Sequence, residues 1–197
     1  DYVIIASPCN FHLEQALFFG GKDIPIFIEK PIGDGSESLE SWNKLLFLSQ
    51  NTPIMVGYVF RHDECFKEIK KIIKSDKFGP IVELDSYCGS WLPNWRKEID
   101  YKESVSAKKK LGGGVLRELS HEIDYLCWLI EDVKFQSSYI RNSNYLDIDK
   151  DIEDVADIIF NISNGTCTMH LDFLQRPSQR HATFYGTKGR LEWDIKH

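Results

Sequence analysis

The sequence lacks the features that mark several large classes of protein. Its 197 residues contain no apolar run of the roughly 20 residues that a membrane-spanning helix needs, and no secretory signal. Positive charge is in the minority, with 24 lysines and arginines against 30 acidic residues, so we expect no nucleic-acid surface. The five cysteines form no Cys-x-x-Cys pair, which favours reduced thiols in a cytoplasmic protein over a disulfide framework.

Signals of metal or thiol catalysis are also weak. Glu118 and His121 have the Glu-x-x-His spacing found in di-iron helical bundles, but such a bundle needs a second pair and further glutamates. The sequence contains no His-x-x-x-His pair, and no cysteine shows a partner base. We therefore expect neither a metal centre nor a thiol nucleophile.

The first sixty residues alternate strands with helices. Apolar runs at 2–6, 24–28 and 54–60 predict strands that are separated by two amphipathic helices. The second helix is predicted to begin at Ser38 and to bury a face made of Leu39, Trp42, Leu45, Leu46 and Leu48. This order predicts a parallel sheet with right-handed crossovers.

No glycine-rich turn of the G-x-G-x-x-G type follows the first strand. A dinucleotide-binding fold uses such a turn to bring backbone N–H groups to the pyrophosphate. The glycines at 112–114 follow a polar loop, and the segment 186–189 is typical of a hairpin turn. The sequence begins with Asp1 rather than Met and ends just after a predicted strand, so we expect an internal piece of a longer protein.

The pattern changes near residue 61. A helix is predicted at 63–76, a strand at 81–87 and the clearest helix at 115–130. The remaining strands are predicted at 134–140, 154–162, 166–174, 181–186 and 190–194. Consecutive strands of this kind favour an open, mainly antiparallel sheet with flanking helices. We therefore predict two domains, at 1–61 and 62–197.

The predicted helix 115–130 carries two stripes. One is apolar and consists of Leu116, Leu119, Ile123, Leu126 and Ile130; the other contains Arg117, Glu118, His121, Asp124 and Tyr125. A histidine flanked by two carboxylates is expected to have a raised pKa and to suit proton transfer. The alternative is an ordinary charged helix face in which arginine and glutamate pair with each other.

Charged residues also follow the predicted strands of the first part. The strand at 24–28 ends in Glu29-Lys30-Pro31, and Pro31 restrains Lys30 to extended backbone. The first strand is followed by Ser7-Pro8 and then His12. Taken alone, Lys30 could simply pair with Glu29, and His12 could be a solvated residue at a helix start.

Together these motifs resemble the Gfo/Idh/MocA family of NAD(P)-dependent oxidoreductases. The resemblance runs through nearly the whole chain, and the residues that carry it are Ser7-Pro8 with His12, Glu29-Lys30-Pro31, Gly57-Tyr58 with Arg61, Trp91 with Trp95-Arg96, and the glycines at 112–114 with the segment from Glu118 to Asp124. It implies a remnant of a parallel Rossmann sheet (α/β) followed by an α+β substrate-binding domain. The last segment is similar to the subgroup that acts on sugars and sugar nucleotides.

The resemblance also implies roles for individual residues. Lys30, His121 and Glu118 would be catalytic. The cofactor, NAD or NADP, would meet Ser7, Pro8, Asn10, His12, Glu29, Lys30, Pro31 and Arg61. The substrate would meet Trp95, Arg96, Arg117 and Asp124. The Lys30–Pro31 bond is expected to be cis. The family's acid falls on Glu118 when counted from the glycines and on Arg117 when counted back from the histidine, so its identity stays open.

The reaction implied is hydride transfer between NAD(P) and a hydroxyl carbon of a sugar or sugar nucleotide, in a homodimer or homotetramer formed through the antiparallel sheet. Because the glycine-rich turn is missing, we expect weak or absent cofactor binding by this chain. Two other functions stay open: a non-catalytic dimerisation or scaffold domain, and a lyase or glycosidase that uses the same NAD chemistry.

Overall fold

The computed structural model describes residues 1–195 as two sheets with flanking helices, which confirms the predicted fold class. The strands are β1 (Val3–Ile5), β2 (Ile26–Ile28), β3 (Ile54–Val56), β4 (Ile81–Gly89), β5 (Lys134–Arg141), β6 (Val155–Ile162), β7 (Gly165–Asp172), β8 (Gln179–Gly186) and β9 (Arg190–Asp194). The α-helices are α1 (His12–Gly20), α2 (Leu39–Leu48), α3 (Glu64–Ile73), α4 (Val115–Glu118) and α5 (His121–Leu129). No helix among these residues is long and apolar enough to cross a membrane.

The first sheet is parallel, in the order β1-β2-β3, with α1 and α2 as its crossovers. Its small core contains Ile5, Leu13, Ala16, Ile26, Ile28 and Leu45. Each strand has three residues, so the strand predicted at 54–60 ends early, at Val56. The chain then turns into a 3-10 helix, Val59–Arg61, in which the predicted domain boundary falls.

The predicted start of α2 at Ser38 is correct, but its predicted buried face is partly wrong. Ser38 is the N-cap, and its hydroxyl accepts a hydrogen bond of 3.1 Å from the Ser41 N–H. Leu45 is buried, but Leu39 and Leu46 are 75% and 65% exposed. The apolar face of α2 is therefore wider than the part of it that the three-stranded sheet covers.

The second sheet has six strands in the order β5-β6-β7-β4-β8-β9, and every neighbouring pair is antiparallel except β4 with β7. Helices α3 to α5 contribute to the larger core on one face, where Phe66, Leu84, Tyr125, Phe173 and Phe184 are fully buried. Tyr125 was predicted on the polar stripe of its helix; instead its hydroxyl lies 2.6 Å from that of Ser86 inside this core.

The opposite face of this sheet, the outer face, carries one continuous row of polar and aromatic side chains. Cross-strand pairing joins, in order, Tyr139, Asp157, His170, Tyr87, His181 and Asp194. The ring of Tyr87 stacks between the two histidine rings, at 4.8 Å and 5.2 Å between centroids. Hydrogen bonding to Asp172, and then to Asp157, raises the pKa of His170. The face forms an open groove of about 530 Å³.

The helix predicted at 115–130 is broken in two. α4 ends at Glu118, and Leu119 takes the non-helical angles φ −101° and ψ 26° before α5 begins at His121. The N–H of Glu122, which would close a helical bond to the carbonyl of Glu118, donates to Leu119 instead. This break leaves the Glu118 carbonyl free for another donor.

Candidate active site

A cleft of about 270 Å³ lies between the carboxyl ends of β1 and β2 and the segment that leads into α4. Most of the residues that the sequence proposed line it: Ser7, Pro8, His12, Glu29, Lys30, Pro31, Arg96, Arg117 and Glu118. Because parallel strands present their carboxyl ends at one edge of a sheet, residues far apart in sequence meet there.

Lys30 joins the two sheets through the broken helix. Its ammonium donates a hydrogen bond of 2.7 Å to the carbonyl of Glu118, 88 residues further along the chain. The break after α4 makes this possible, because it releases that carbonyl from the helical pattern. Lys30 is thus held at the floor of the cleft rather than paired with Glu29.

His12 fixes the turn that carries Lys30. The side chain is 1% exposed, with Nδ1 at 2.7 Å from the carbonyl of Pro31 and Nε2 at 2.6 Å from the carbonyl of Ser7. It therefore links the ends of β1 and β2 and is not the solvated residue that a helix start suggests. The Lys30–Pro31 bond is cis, as expected.

Two glycines allow the two halves of the cleft to meet. Gly112 has φ +78°, and a Cβ there would overlap the Cys9 sulfur, whose thiol donates to the Gly112 carbonyl at 3.5 Å. Gly114 has φ +124°, and a Cβ there would overlap the carboxylate of Glu153. A side chain at either position would push the first sheet or β6's leading loop away from α4.

Arg117 and Glu118, the last two residues of α4, make different contacts. The Arg117 guanidinium donates to the carbonyls of Asp34 and Gly113, at 2.9 Å and 2.8 Å, and lies 3.8 Å from Glu153. These bonds hold it to the wall of the cleft. Glu118 also lines the cleft, and its carbonyl accepts from Lys30. Which of the two positions corresponds to the family's acid stays a prediction.

Arg61 and Asp124, which were predicted to bind the cofactor and the substrate, form an ion pair with each other. The arginine Nε donates at 2.9 Å and its Nη2 at 2.5 Å to the carboxylate of Asp124, which is 8% exposed. The hydrogen bonds that Arg61 donates to Asp124 are the main cause of its raised pKa. This two-pronged pair ties the 3-10 helix to α5 and occupies both groups.

His121 lies against two aromatic rings, Tyr58 at 5.7 Å and Phe60 at 5.3 Å between centroids. Its Nδ1 is buried, and no described residue forms a hydrogen bond with it. Burial, and then the charges of Lys30 and Arg180, lower the pKa of His121 to about 4. The expected rise was wrong, because the neighbouring carboxylates on α5 face arginines rather than the imidazole.

Of the remaining predicted residues, Arg96 lines the cleft, whereas Trp95 and Asn10 do not. Arg96 is exposed at the rim of the cleft. Trp95 does not line it: the indole packs edge-on against Phe173 and donates to the Ser90 hydroxyl at 3.0 Å. Asn10 lies in the turn before α1, with its side-chain oxygen buried and without a partner among the described residues.

The sequence interpretation missed one pair, Glu122 and Arg180. Glu122 is 0% exposed and accepts from Arg180 at 2.6 Å and 3.1 Å. The strand predicted at 181–186 began one residue too late to include Arg180. With the strand extended to 179, alternation would have placed Arg180 on the inner face with Ala182 and Phe184.

The profile of the GFO/IDH/MocA C-terminal domain matches residues 66–192. The chain belongs to the Gfo/Idh/MocA family. An uncharacterized oxidoreductase of Streptococcus pneumoniae is 23% identical over 205 residues, which cover 99% of this chain and 52% of the relative. An inositol 2-dehydrogenase of Rhizobium meliloti is 26% identical over 160 residues, which cover 80% and 44%. The chain thus spans about half the length of the curated relatives it matches.

Solved structures of family members show the same fold. The WlbA dehydrogenase of Bordetella pertussis, in complex with NADH and UDP-GlcNAcA, superposes with a TM-score of 0.82 at 20% identity over 99% of this chain and 56% of its own. The myo-inositol 2-dehydrogenase of Lactobacillus plantarum gives a TM-score of 0.78 at 18% identity over 98% and 57%. At these identities the likeness concerns the fold alone.

Gly112→Ala is expected to destabilise this family member far more than Gly35→Ala. Both glycines have positive φ, at +78° and +90°, but a Cβ at Gly35 meets nothing within 4 Å, whereas one at Gly112 meets Cys9. We expect a loss of about 2–4 kcal/mol at Gly112 and about 1 kcal/mol at Gly35. Urea unfolding of the two variants measures the difference, and equal losses would show that the close approach is unimportant.

His121 is expected to make the fold weaker in acid. Its pKa is about 6.5 unfolded and about 4 folded, so the unfolded chain binds the extra proton between these values. The stability contributed by the neutral imidazole is complete above about pH 6.5 and is lost as the pH falls towards 4, by at most about 3 kcal/mol. His121→Gln should flatten this slope relative to wild type, while the exposed His62→Gln should not. Parallel slopes in all three proteins would contradict the assignment.

Proposed function

We propose that this chain carries the sugar-binding and proton-transfer half of an NAD(P)-dependent oxidoreductase, which moves a hydride between the cofactor and a hydroxyl carbon of a sugar or sugar nucleotide. One observation supports the proposal: Lys30, which lines the cleft, binds the carbonyl of Glu118 at the end of α4, three residues before His121, and the charge of Lys30 helps to lower the pKa of that imidazole. Residues 1–61 and 62–197 would form the two domains.

The two residues would share the proton of the reacting hydroxyl. A hydroxyl carbon gives up a hydride only when its oxygen also loses a proton. A neutral His121, with its pKa lowered to about 4, is able to accept that proton near neutral pH. Lys30 donates one N–H to the Glu118 carbonyl and keeps donors for the substrate oxygen, and Glu118 is an acid of the same cleft.

The residues of the cleft fit the nicotinamide end of the cofactor. Ser7, Pro8 and Pro31 line it, and Asn10, which follows the lining residue Cys9, has a buried side-chain oxygen without a partner among the described residues. Bound there, a nicotinamide would supply the hydride acceptor or donor. His12 holds the turn behind it, and Arg61, engaged with Asp124, would act only through the position of α5.

The substrate class is inferred from the rim of the cleft and from the relatives. Arg96 is exposed there and forms no contact with a described carboxylate, so its guanidinium is available to hydroxyl or anionic groups. Trp95 would act behind it, because its ring packs into the core. Related proteins include inositol dehydrogenases and the dehydrogenase solved with a sugar nucleotide. The five unpaired thiols suit the reducing cytoplasm.

A second copy of the chain is the proposed partner of the outer face. From Asp157 onwards the row reads Asp157, His170, Tyr87, His181 and Asp194, so a copy related by a two-fold axis that passes between His170 and Tyr87 sets His181 against Asp157. Tyr139, at one end of the row, and Ile159, beside it, add exposed apolar surface, at 65% and 39% exposure. We propose a homodimer, or a tetramer built from it.

A scaffold domain without activity is the second candidate. It is favoured by the missing G-x-G-x-x-G motif, since the sequence supplies no glycine-rich cradle for a pyrophosphate. Both candidates share the fold and the outer face, and only cofactor binding and turnover distinguish them.

The first prediction concerns which half of the cofactor is bound. We expect NADH and reduced nicotinamide mononucleotide to bind this chain weakly and with similar dissociation constants, within about threefold, because the cleft contacts only the nicotinamide end. Nicotinamide fluorescence follows both titrations, with Asn10→Leu as the variant and Asn51→Leu as the exposed control. NADH binding more than about tenfold tighter would reveal a pyrophosphate site elsewhere in the chain.

Turnover with NAD⁺ and NADP⁺ on inositols, sugars and sugar nucleotides tests the chemistry. Where a substrate is found, Lys30→Met and His121→Gln should lower kcat by about 10²–10⁴-fold, because each removes a group that handles the hydroxyl proton. The exposed Lys44→Met and His62→Gln are matched controls and should behave as wild type. Full activity in Lys30→Met would refute the oxidoreductase assignment.

Self-association tests the outer face. Ile159→Glu adds a charge to the middle of that face and should convert a dimer to a monomer, whereas Ile4→Glu, on β1 of the first sheet, should leave it intact. Sedimentation velocity at several concentrations measures the difference. Dissociation by Ile4→Glu alone would move the interface to the first sheet.

A further inference from the structure

Behind His121 lies a charge pair that the proposed proton transfer does not itself use. Glu122 lies in the first turn of α5 and is 0% exposed. Arg180, on β8, meets its carboxylate with two nitrogens, Nε at 2.6 Å and Nη2 at 3.1 Å. Such a fork-to-fork contact fixes the plane of the guanidinium.

The guanidinium of Arg180 packs on Phe60, and Phe60 in turn packs against His121. Its central carbon lies 4.5 Å from the centre of the Phe60 ring, and Phe60 is the ring that tilts against the imidazole at 5.3 Å. Phe60 is held from its other sides by Phe66, stacked at 4.6 Å, and Trp193, edge-on at 5.4 Å. The imidazole therefore rests on a ring that an arginine and two aromatic side chains immobilise.

We propose that Arg180, oriented by Glu122, is a positioning residue for His121: it fixes the Phe60 wall against which the imidazole packs, and it places a second positive charge beside that imidazole. This inference rests on the proposed proton-transfer role of His121. It assigns a function to a residue that is only 22% exposed and that forms no part of the cleft lining.

The positive charges near His121 are not balanced by a carboxylate that faces the imidazole. Lys30 from the end of β2 and Arg180 from β8 both act on it, and both lower its pKa. The carboxylates on α5 are committed elsewhere, Glu122 to Arg180 and Asp124 to Arg61. Tyr58 presents a phenol whose pKa burial raises, so it stays neutral, and Glu118 lies one turn away at the end of α4. The imidazole therefore meets positive charge from two elements.

Direct titration of the His121 ring by NMR tests the inference in the intact chain, without substrate or cofactor. The ring signals are assigned by their loss in His121→Gln. Arg180→Met combined with Glu122→Gln removes both charges and should raise the midpoint of His121 by roughly half to one pH unit. Glu122→Gln alone leaves the Arg180 charge uncompensated and should lower the midpoint further.

Two more variants separate charge from orientation. Arg180→Lys keeps the charge but loses the fork, so the midpoint should stay low while the ring-current shift that Phe60 imposes on the imidazole is lost. Arg190→Met with Glu192→Gln, an exposed pair on β9, is the matched control and should change neither. If the double variant does not fold, Glu122→Gln and Arg180→Lys still decide the matter.

An unchanged midpoint in folded Glu122→Gln and in the folded double variant would overturn the inference. So would an unchanged ring-current shift in Arg180→Lys. Because these readouts need no turnover, they stand apart from the proposed function: shifted titrations in a chain whose His121→Gln variant keeps full activity would uphold the positioning effect and refute the catalytic role.

Discussion

The cleft depends on one hydrogen bond, from the Lys30 ammonium to the carbonyl of Glu118. A carbonyl inside a continuous helix is already bonded to the N–H four residues on, and it would have little to offer a lysine. The break at Leu119 and Ser120 removes that competitor and turns a helix interior into a helix end. The same break lets His121 begin a new helix in a new direction, so one local irregularity supplies both the anchor for Lys30 and the placement of the imidazole.

The arginines of the site determine what its carboxylates can do. Arg61 binds Asp124 and Arg180 binds Glu122, so the two acids of α5 that neighbour His121 in sequence form ion pairs, and Arg117 lies near Glu153. A buried carboxylate is tolerated only with such a partner. The consequence is a buried imidazole whose charged neighbours are positive; burial first, and then these charges, lower its pKa instead of raising it.

Much of the fold and part of the site followed from the sequence. Hydrophobic periodicity located the strands and helices, because a strand such as β6 alternates buried and exposed residues, although β5 is exposed along its whole length. The motifs that carry Lys30 and Glu118 line one cleft, 88 residues apart in sequence. The break in α4–α5 could not be predicted, since Leu119 and Ser120 are compatible with helix and only the Lys30 contact favours the break. Helix spacing predicted that Asp124 and Tyr125 lie beside His121. It holds no information on partners from other elements, such as Arg61, which binds Asp124, and Ser86, which bonds to Tyr125.

A neutral imidazole between two cations is suited to the reaction proposed here. As a hydroxyl loses its proton, the oxygen gains negative charge, and fixed positive groups nearby stabilise that charge more than they stabilise the neutral alcohol. Burial, and then the same cations, keep His121 unprotonated and thus able to accept the proton. Had the carboxylates of α5 faced the imidazole, they would have favoured its protonated form and opposed the developing charge. The ion pairs that remove those carboxylates are therefore part of the chemistry as well as of the fold.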